Sequence, residues 1–208
     1  HWFGTDGDGL WVMDESERSL RAYTSRDGLP DDHVQAVAVD ASGRVWIATR
    51  AGLSVFEDPQ QPDPPAPIAQ GARSGWFRTL TTQEGLPDNR IRTLLADPTH
   101  SGRMWVGTFS GIAMLEEGRV AETLSKEQGL VEPRVQDLAA GRDGTLWIAT
   151  ENGLFAHRQG MVERYGTQDG LPNPVLLSLE VDREGDVWAG TFGAGIVQFP
   201  GDYVVSYG

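Results

Sequence analysis

The chain has no cysteine among its 208 residues, so neither a disulfide framework nor a zinc–thiolate site is open to it. Basic residues are scarce: 17 Lys and Arg against 30 Asp and Glu leave a net charge of −13. That deficit argues against nucleic acid as a partner, because phosphate binding needs a cationic surplus, and against an anionic membrane surface. It reads instead as a solubility feature of a protein handling neutral or cationic ligands. No apolar run approaches the roughly 20 residues that a membrane-spanning helix requires. Catalytic signatures are missing too: there is no Gly-x-Ser-x-Gly elbow, no phosphate-cradling glycine loop and no His-Glu-x-x-His pair. His1, His33, His100 and His157 fall at unrelated points with no ligand spacing. The sequence therefore assigns no catalytic residue, no metal and no cofactor.

What the chain has in plenty is repetition. Trp2-Phe-Gly-Thr5, Trp46-Ile-Ala-Thr49, Trp105-Val-Gly-Thr108, Trp147-Ile-Ala-Thr150 and Trp188-Ala-Gly-Thr191 are one phrase written five times, at intervals of 44, 59, 42 and 41 residues. A period of about 40–45 residues is that of a β-propeller, in which each repeat is one four-stranded blade. The composition agrees, since 26 glycines and 12 prolines suit many short strands joined by tight turns. The fold class is all-β. The fixed register of the tryptophans makes them core residues and not stacking platforms for sugars or bases.

Within a repeat the strands are legible. Val34–Val39, Ile91–Ala96, Val135–Ala139 and Val175–Val181 are apolar first strands, expected nearest the axis and covered on both faces. The tryptophan strand follows, and its Ala/Gly-Thr ending places small residues where neighbouring blades approach. Ahead of the first strands stands a second phrase: Asp27-Gly-Leu-Pro30, Glu84-Gly-Leu-Pro87, Gln128-Gly-Leu-Val131 and Asp169-Gly-Leu-Pro172. Glycine permits a sharp turn, leucine plugs the core and proline sets an extended approach to the inner strand. This yields a partial blade over 1–24 and complete blades over 28–81, 85–124, 129–165 and 170–207. Residues 58–75, with five prolines, read as a loop insertion between the third and fourth strands of the first complete blade. The turns Asp40–Arg44, Arg142–Thr145 and Asp182–Asp186 are similar to the Asp-box, a structural hairpin. Asp6-Gly-Asp-Gly9 lacks the later ligands of a calcium loop and reads as an ordinary turn.

Gly-Leu-Pro followed about 16 residues later by the Trp-Ile-Ala-Thr-like strand resembles the two-component regulator propeller repeat, over essentially the whole chain. The resemblance implies the extracytoplasmic sensor region of a bacterial hybrid two-component protein, periplasmic or extracellular. In that family seven-bladed propellers precede an immunoglobulin-like domain, a membrane helix and a kinase. With His1 already inside a repeat, the chain reads as an arc of a larger propeller from a membrane-anchored parent. The exposed blade at each end of such an arc would favour self-association.

Binding residues are sought where the repeats differ. The turn leading into each inner strand carries Asp31, Asp32 and His33; Asp88, Asn89 and Arg90; Glu132 and Arg134; and Asn173. The turn between strands two and three carries Asp6, Arg50, Phe109, Glu151 and Phe192. Both kinds of turn open on one face of a propeller, and a scaffold diversified on one face is how a binding surface is made. The expected ligand-binding set is Arg50, Phe109, Glu151, Phe192, Asp32, Asn89, Arg134 and Asn173. The function expected is a non-catalytic sensor module taking a small ligand, an oligosaccharide by resemblance. The alternatives are a propeller lyase or hydrolase with its site at the axis, and a protein-interaction scaffold.

Overall fold

The protein, seen in a computed structural model, is described over residues 1–14, 19–57, 72–199 and 204–207. Its strands form five antiparallel sheets in chain order. Sheet I holds β1 (Trp2–Gly4), β2 (Leu10–Asp14) and β3 (Ser19–Tyr23). Sheet II holds β4 (Val34–Val39), β5 (Val45–Thr49), β6 (Leu53–Phe56), β7 (Ala72–Ser74) and β8 (Phe77–Leu80), in the spatial order β4-β5-β6-β8-β7. Sheet III runs through β9 (Ile91–Ala96), β10 (Arg103–Thr108), β11 (Gly111–Glu116) and β12 (Arg119–Leu124). Sheet IV runs through β13 (Val135–Ala140), β14 (Leu146–Thr150), β15 (Gly153–Arg158) and β16 (Met161–Tyr165). Sheet V comprises β17 (Leu176–Val181), β18 (Val187–Thr191), β19 (Ile196–Phe199) and β20 (Val205–Tyr207). Helix among the described residues is limited to 3-10 turns of three residues.

Consecutive sheets touch along their inner strands, β1 on β4, β4 on β9, β9 on β13 and β13 on β17. Each junction between sheets has its own core. Leu10, Val34, Ile47 and Phe77 fill the first, and Trp46, Leu53, Ile91 and Val106 the second. Leu130, Ile148 and Phe155 fill the third, and Trp147, Leu176 and Val197 the fourth. Apolar faces buried sheet against sheet around an axis make a β-propeller architecture. Gly107 shows why the tryptophan strand ends small. A Cβ there would lie 2.6 Å from Thr93 Cγ2 and 2.7 Å from Val135 Cγ1 of the next sheet.

The junction phrase is a compact device. Thr24, Thr81 and Ser125 cap the 3-10 turns 25–27, 82–84 and 126–128, and Asp27, Glu84 and Gln128 return a bond to the capping backbone N–H. Gly28, Gly85, Gly129 and Gly170 follow at φ of 100–102°, which an L side chain resists. The leucine then donates its N–H back to the cap carbonyl, as Leu29 does to Thr24, and is buried in every repeat.

Two expectations need correction. The inner strands are not covered on both faces: β4, β9 and β13 are half-buried over at least half their length and half of β17 is exposed, whereas β5 and β14 are buried throughout. An innermost strand has one edge on the open axis, while the second strand is flanked on both sides. The loop expected over 58–75 also does not extend to 75. Ala72–Ser74 form β7, paired with β8 as Ala72↔Thr79, Arg73↔Arg78 and Ser74↔Phe77, and Trp76 donates its N–H to Asp27 O at 3.2 Å. The proline-rich part, 58–71, lies outside the described residues.

The tryptophans divide by position. Trp46 and Trp147 are buried, Trp2 and Trp105 are half-buried against the first and third cores, and Trp188 stacks on Tyr207 with ring centroids 5.8 Å apart. Each faces the following sheet, and among the described residues Trp188 has none to face. On that outer side Ile196 and Tyr207 are exposed, as are Phe3, Met13 and Leu20 on sheet I.

Candidate functional site

The junction turns and the second hairpins meet on one face of the propeller. Phe109 N–H donates to Arg90 O at 3.3 Å and Phe192 N–H to Val175 O at 2.9 Å. Asp6 bridges His33 as an isolated antiparallel pair. We call this face the mouth, and its residues fall into three groups, or tiers, by their place in the repeat.

The second hairpins form the outermost tier. In each, the threonine ending the tryptophan strand turns its hydroxyl onto its own hairpin: Thr49 to Gly52 O, Thr108 to Gly111 O, Thr150 to Gly153 O and Thr191 to Gly195 O, at 2.7–2.9 Å. The residue after it is released from turn-making. These residues are Arg50, Phe109, Glu151 and Phe192, with Asp6 after Thr5 in sheet I. Arg50 Nη2 donates to Asp6 Oδ1 at 3.1 Å.

The middle tier comes from the junction turns, whose three variable positions have different duties. The first always bonds to the backbone N–H two residues on: Asp31 to His33, Asp88 to Arg90, Glu132 to Arg134 and Asn173 to Val175, at 2.8–3.2 Å. The second closes the preceding 3-10 turn where it can. Asp32 Oδ1 accepts Ser25 N–H at 2.6 Å and Asn89 Oδ1 accepts Thr82 N–H at 2.8 Å, and prolines 133 and 174 replace them elsewhere. The third, His33, Arg90, Arg134 and Val175, has no side-chain bond that recurs in every turn.

The expected set therefore divides. Arg50, Phe109, Glu151, Phe192 and Arg134 lie on the mouth. Asp32 and Asn89 are spent on backbone groups, and Asn173 caps Val175 with its oxygen while its Nδ2 holds Phe192 O at 2.7 Å. Arg90 and His33, named as turn residues, take the places that Asn89 and Asp32 were expected to fill. Phe109 is not an open stacking surface either. The guanidinium carbons of Arg90 and Arg134 sit 4.6 and 5.4 Å from its centroid, so the ring holds two cations in place. Arg134 Nη1 reaches both Glu151 oxygens at 3.1 Å, and Arg90 grips Asp88 through Nε at 3.1 Å and Nη2 at 2.7 Å. That grip pulls the Asp88 carboxyl down to about 2. Phe192, 64% exposed, is the open ring of the mouth.

The innermost tier escaped the sequence reading. The ladder between first and second strands skips one residue at the same place in four sheets: Gln35, Arg92, Gln136 and Leu177. These are β-bulges, which take a side chain out of the alternation and re-aim it. The available signal was a glutamine or arginine as second residue of an otherwise apolar run. A half-buried carboxylate ties the sheets together beside this tier: Asp137 accepts Thr93 Oγ1 at 3.0 Å and Leu179 N–H at 2.8 Å, linking three sheets.

On the opposite face the hairpins are structural. Asp40 accepts Ser42 and Arg44 backbone N–H, Arg44 Nε at 2.7 Å and the Trp46 indole N–H at 2.8 Å. Burial opposes ionisation of Asp40, but the bonds from Ser42, Trp46 and Arg44 outweigh it and hold its pKa below the ordinary value.

Residues 28–51 and 129–152 match the family described as the two component regulator propeller, each stretch running from a junction glycine to a second hairpin. Two of the repeats thus match the two-component regulator propeller repeat. No curated protein matches the chain significantly. Among solved structures, the chain is similar to the extracellular domain ascribed to a hybrid two-component system of B. thetaiotaomicron, with 20% identity and a TM-score of 0.76 over 95% of this chain and 26% of the other. A second such B. thetaiotaomicron domain gives 19% identity and a TM-score of 0.72, over 95% and 25%. Virginiamycin B lyase from Staphylococcus aureus gives 13% identity and a TM-score of 0.74, over 99% and 65%. The likeness shows a shared fold. The chain spans about a quarter of the length of the two B. thetaiotaomicron domains. No helix among its described residues is long and apolar enough to cross a membrane.

Proposed function

We propose that the chain is part of a non-catalytic sensor propeller on the extracytoplasmic side of a two-component signalling protein, taking a small ligand such as an oligosaccharide at the mouth. One observation carries this reading. On the mouth face every turn keeps the same self-closing hydrogen bonds, and only the residues freed from them change chemistry, from Arg50 to Phe109, Glu151 and Phe192 in one tier and from His33 to Arg90, Arg134 and Val175 in the next. The family match and the extracellular domains of similar fold support the sensor setting. Hydroxyl-rich ligands suit paired guanidinium and carboxylate groups beside an open ring.

A glycan and peptide array on the chain, followed by titration calorimetry, tests the proposal. Phe192→Ala and Arg50→Ala should weaken binding by about 1–3 kcal/mol with the melting point unchanged. Arg142→Ala and Arg183→Ala, exposed on the opposite face, should leave binding alone. Arg44 does not serve as a control, because it is buried against Asp40 and Trp46. Equal binding by both sets would refute the mouth as the site.

A propeller enzyme is the second reading, and His33 favours it. Its Nδ1 lies 3.0 Å from Asp31 Oδ1 and its Nε2 lies 3.9 Å from Asp6 Oδ1, the makings of an acid–base group. Against it, the residue at the place of Asp31 makes the same backbone bond in turns that carry arginine or valine in place of His33, so that carboxylate belongs to the turn. Chemical conversion of any arrayed compound, lost in His33→Ala, would replace the sensor reading with the enzymatic one.

A further inference from the structure

We infer that the bulge residues are the floor of the ligand site and that Arg92 recognises a carboxylate, so that the ligand is an acidic saccharide and not a neutral one. This rests on the mouth being the binding face. The bulges fall at the starts of β4, β9, β13 and β17, two residues after those of the middle tier. Arg92 and Gln136 stand at one height, because the residues that follow them, Thr93 and Asp137, are hydrogen-bonded at 3.0 Å.

The other arginines of the mouth are already matched: Arg50 with Asp6, Arg90 with Asp88 and Arg134 with Glu151. Arg92 is exposed and has no hydrogen bond or ion pair among the described residues. In a chain of net charge −13, with acids supplied to each neighbouring arginine, an exposed guanidinium left without one is available to an anion from outside. The local charge thus reverses the expectation of a neutral or cationic ligand drawn from the whole-chain balance. Gln136 supplies the second observation. Its Nε2 donates to Glu151 Oε1 at 3.0 Å, while its Oε1 is buried without a hydrogen-bond partner. An unmet buried acceptor calls for a donor, and a sugar hydroxyl is one. Guanidinium for carboxylate, amide oxygen for hydroxyl and the exposed Phe192 ring for an apolar sugar face together describe a uronic-acid-containing oligosaccharide.

The experiment pairs trimers of galacturonate, glucuronate and mannuronate with their carboxyl-reduced, neutral counterparts, titrated against the 208-residue chain. At least one acidic trimer should bind tenfold or more tightly than its neutral partner. Arg92→Gln should abolish that preference, Arg92→Lys should retain part of it, and Gln136→Leu should weaken acidic and neutral forms alike. Melting points should hold for the Arg92 variants, and Arg142→Gln is the opposite-face control. Equal binding of the paired forms, or an acid preference that survives Arg92→Gln, overturns the carboxylate assignment. If neutral sugars bind and Phe192→Ala still weakens them, the mouth remains the site and this inference alone falls. If no trimer binds, this inference falls and the array alone decides the proposed function; if binding ignores every mouth variant, both fall.

Discussion

The Asp40 carboxylate accepts the indole N–H of Trp46 at 2.8 Å, six residues along the chain, and Asp182 holds Trp188 in the same way at 2.7 Å. Trp46 is 1% exposed, so Trp46→Ala should cost roughly 3–5 kcal/mol in urea unfolding. Trp147→Ala belongs in the same range, while Trp188→Ala, half-buried and covered by no other sheet among the described residues, should cost clearly less. Asp40→Ala should approach the tryptophan loss, because it strands buried Arg44 without its carboxylate.

The architecture was legible because it is written five times, and each phrase does local work that a residue type announces. Glycine takes the left-handed turn, leucine returns its N–H to the cap, and threonine closes the hairpin. The mouth was legible as a face but not in detail. Asp32 and Asn89 look as available for binding as His33 and Arg90, and only the backbone path decides which pair is consumed by a turn. The bulges were harder still, since a skipped residue leaves the apolar pattern of β9 almost intact around Arg92.

Two carboxyl and imidazole groups give the pH dependence its shape. Burial pushes the His157 pKa below its usual 6.5, opposed in part by Glu122, so its neutral form is favoured in the folded chain. Stability tied to it is complete above pH 6.5 and declines as pH falls below that value. The Asp88 carboxyl, at about 2 against an ordinary 3.8, contributes fully above the ordinary value and loses its contribution as pH falls through 2. Chemical denaturation across pH should show both limbs, with His157→Leu flattening the upper and Asp88→Asn the lower.

The strand after the proline-rich segment sets how far that segment can be cut. Replacing 58–71 by a short Gly-Ser linker should leave the melting point nearly unchanged, because loop closure costs vary slowly with length. Extending the cut through Ser74 removes β7 from the edge of sheet II and should lower it measurably. Equal melting points for the two deletions would mean that β7 contributes nothing.

Sheets I and V expose apolar side chains that the inner sheets bury, among them Leu20 at 60% and Ile196 at 51%. Such faces associate in water. Sedimentation velocity should find the chain self-associating in a concentration-dependent way, and Leu20→Glu with Ile196→Glu should return it to monomer. A monomer at all concentrations would count against the association.

A threonine that closes its own hairpin makes its successor expendable to folding. Arg50, Phe109, Glu151 and Phe192 can then be exchanged among repeats, or drawn from other chains, as freely as letters in a fixed frame. A receptor assembled in this way can acquire a new taste through a handful of codons, while the machinery that carries the message stays as it was.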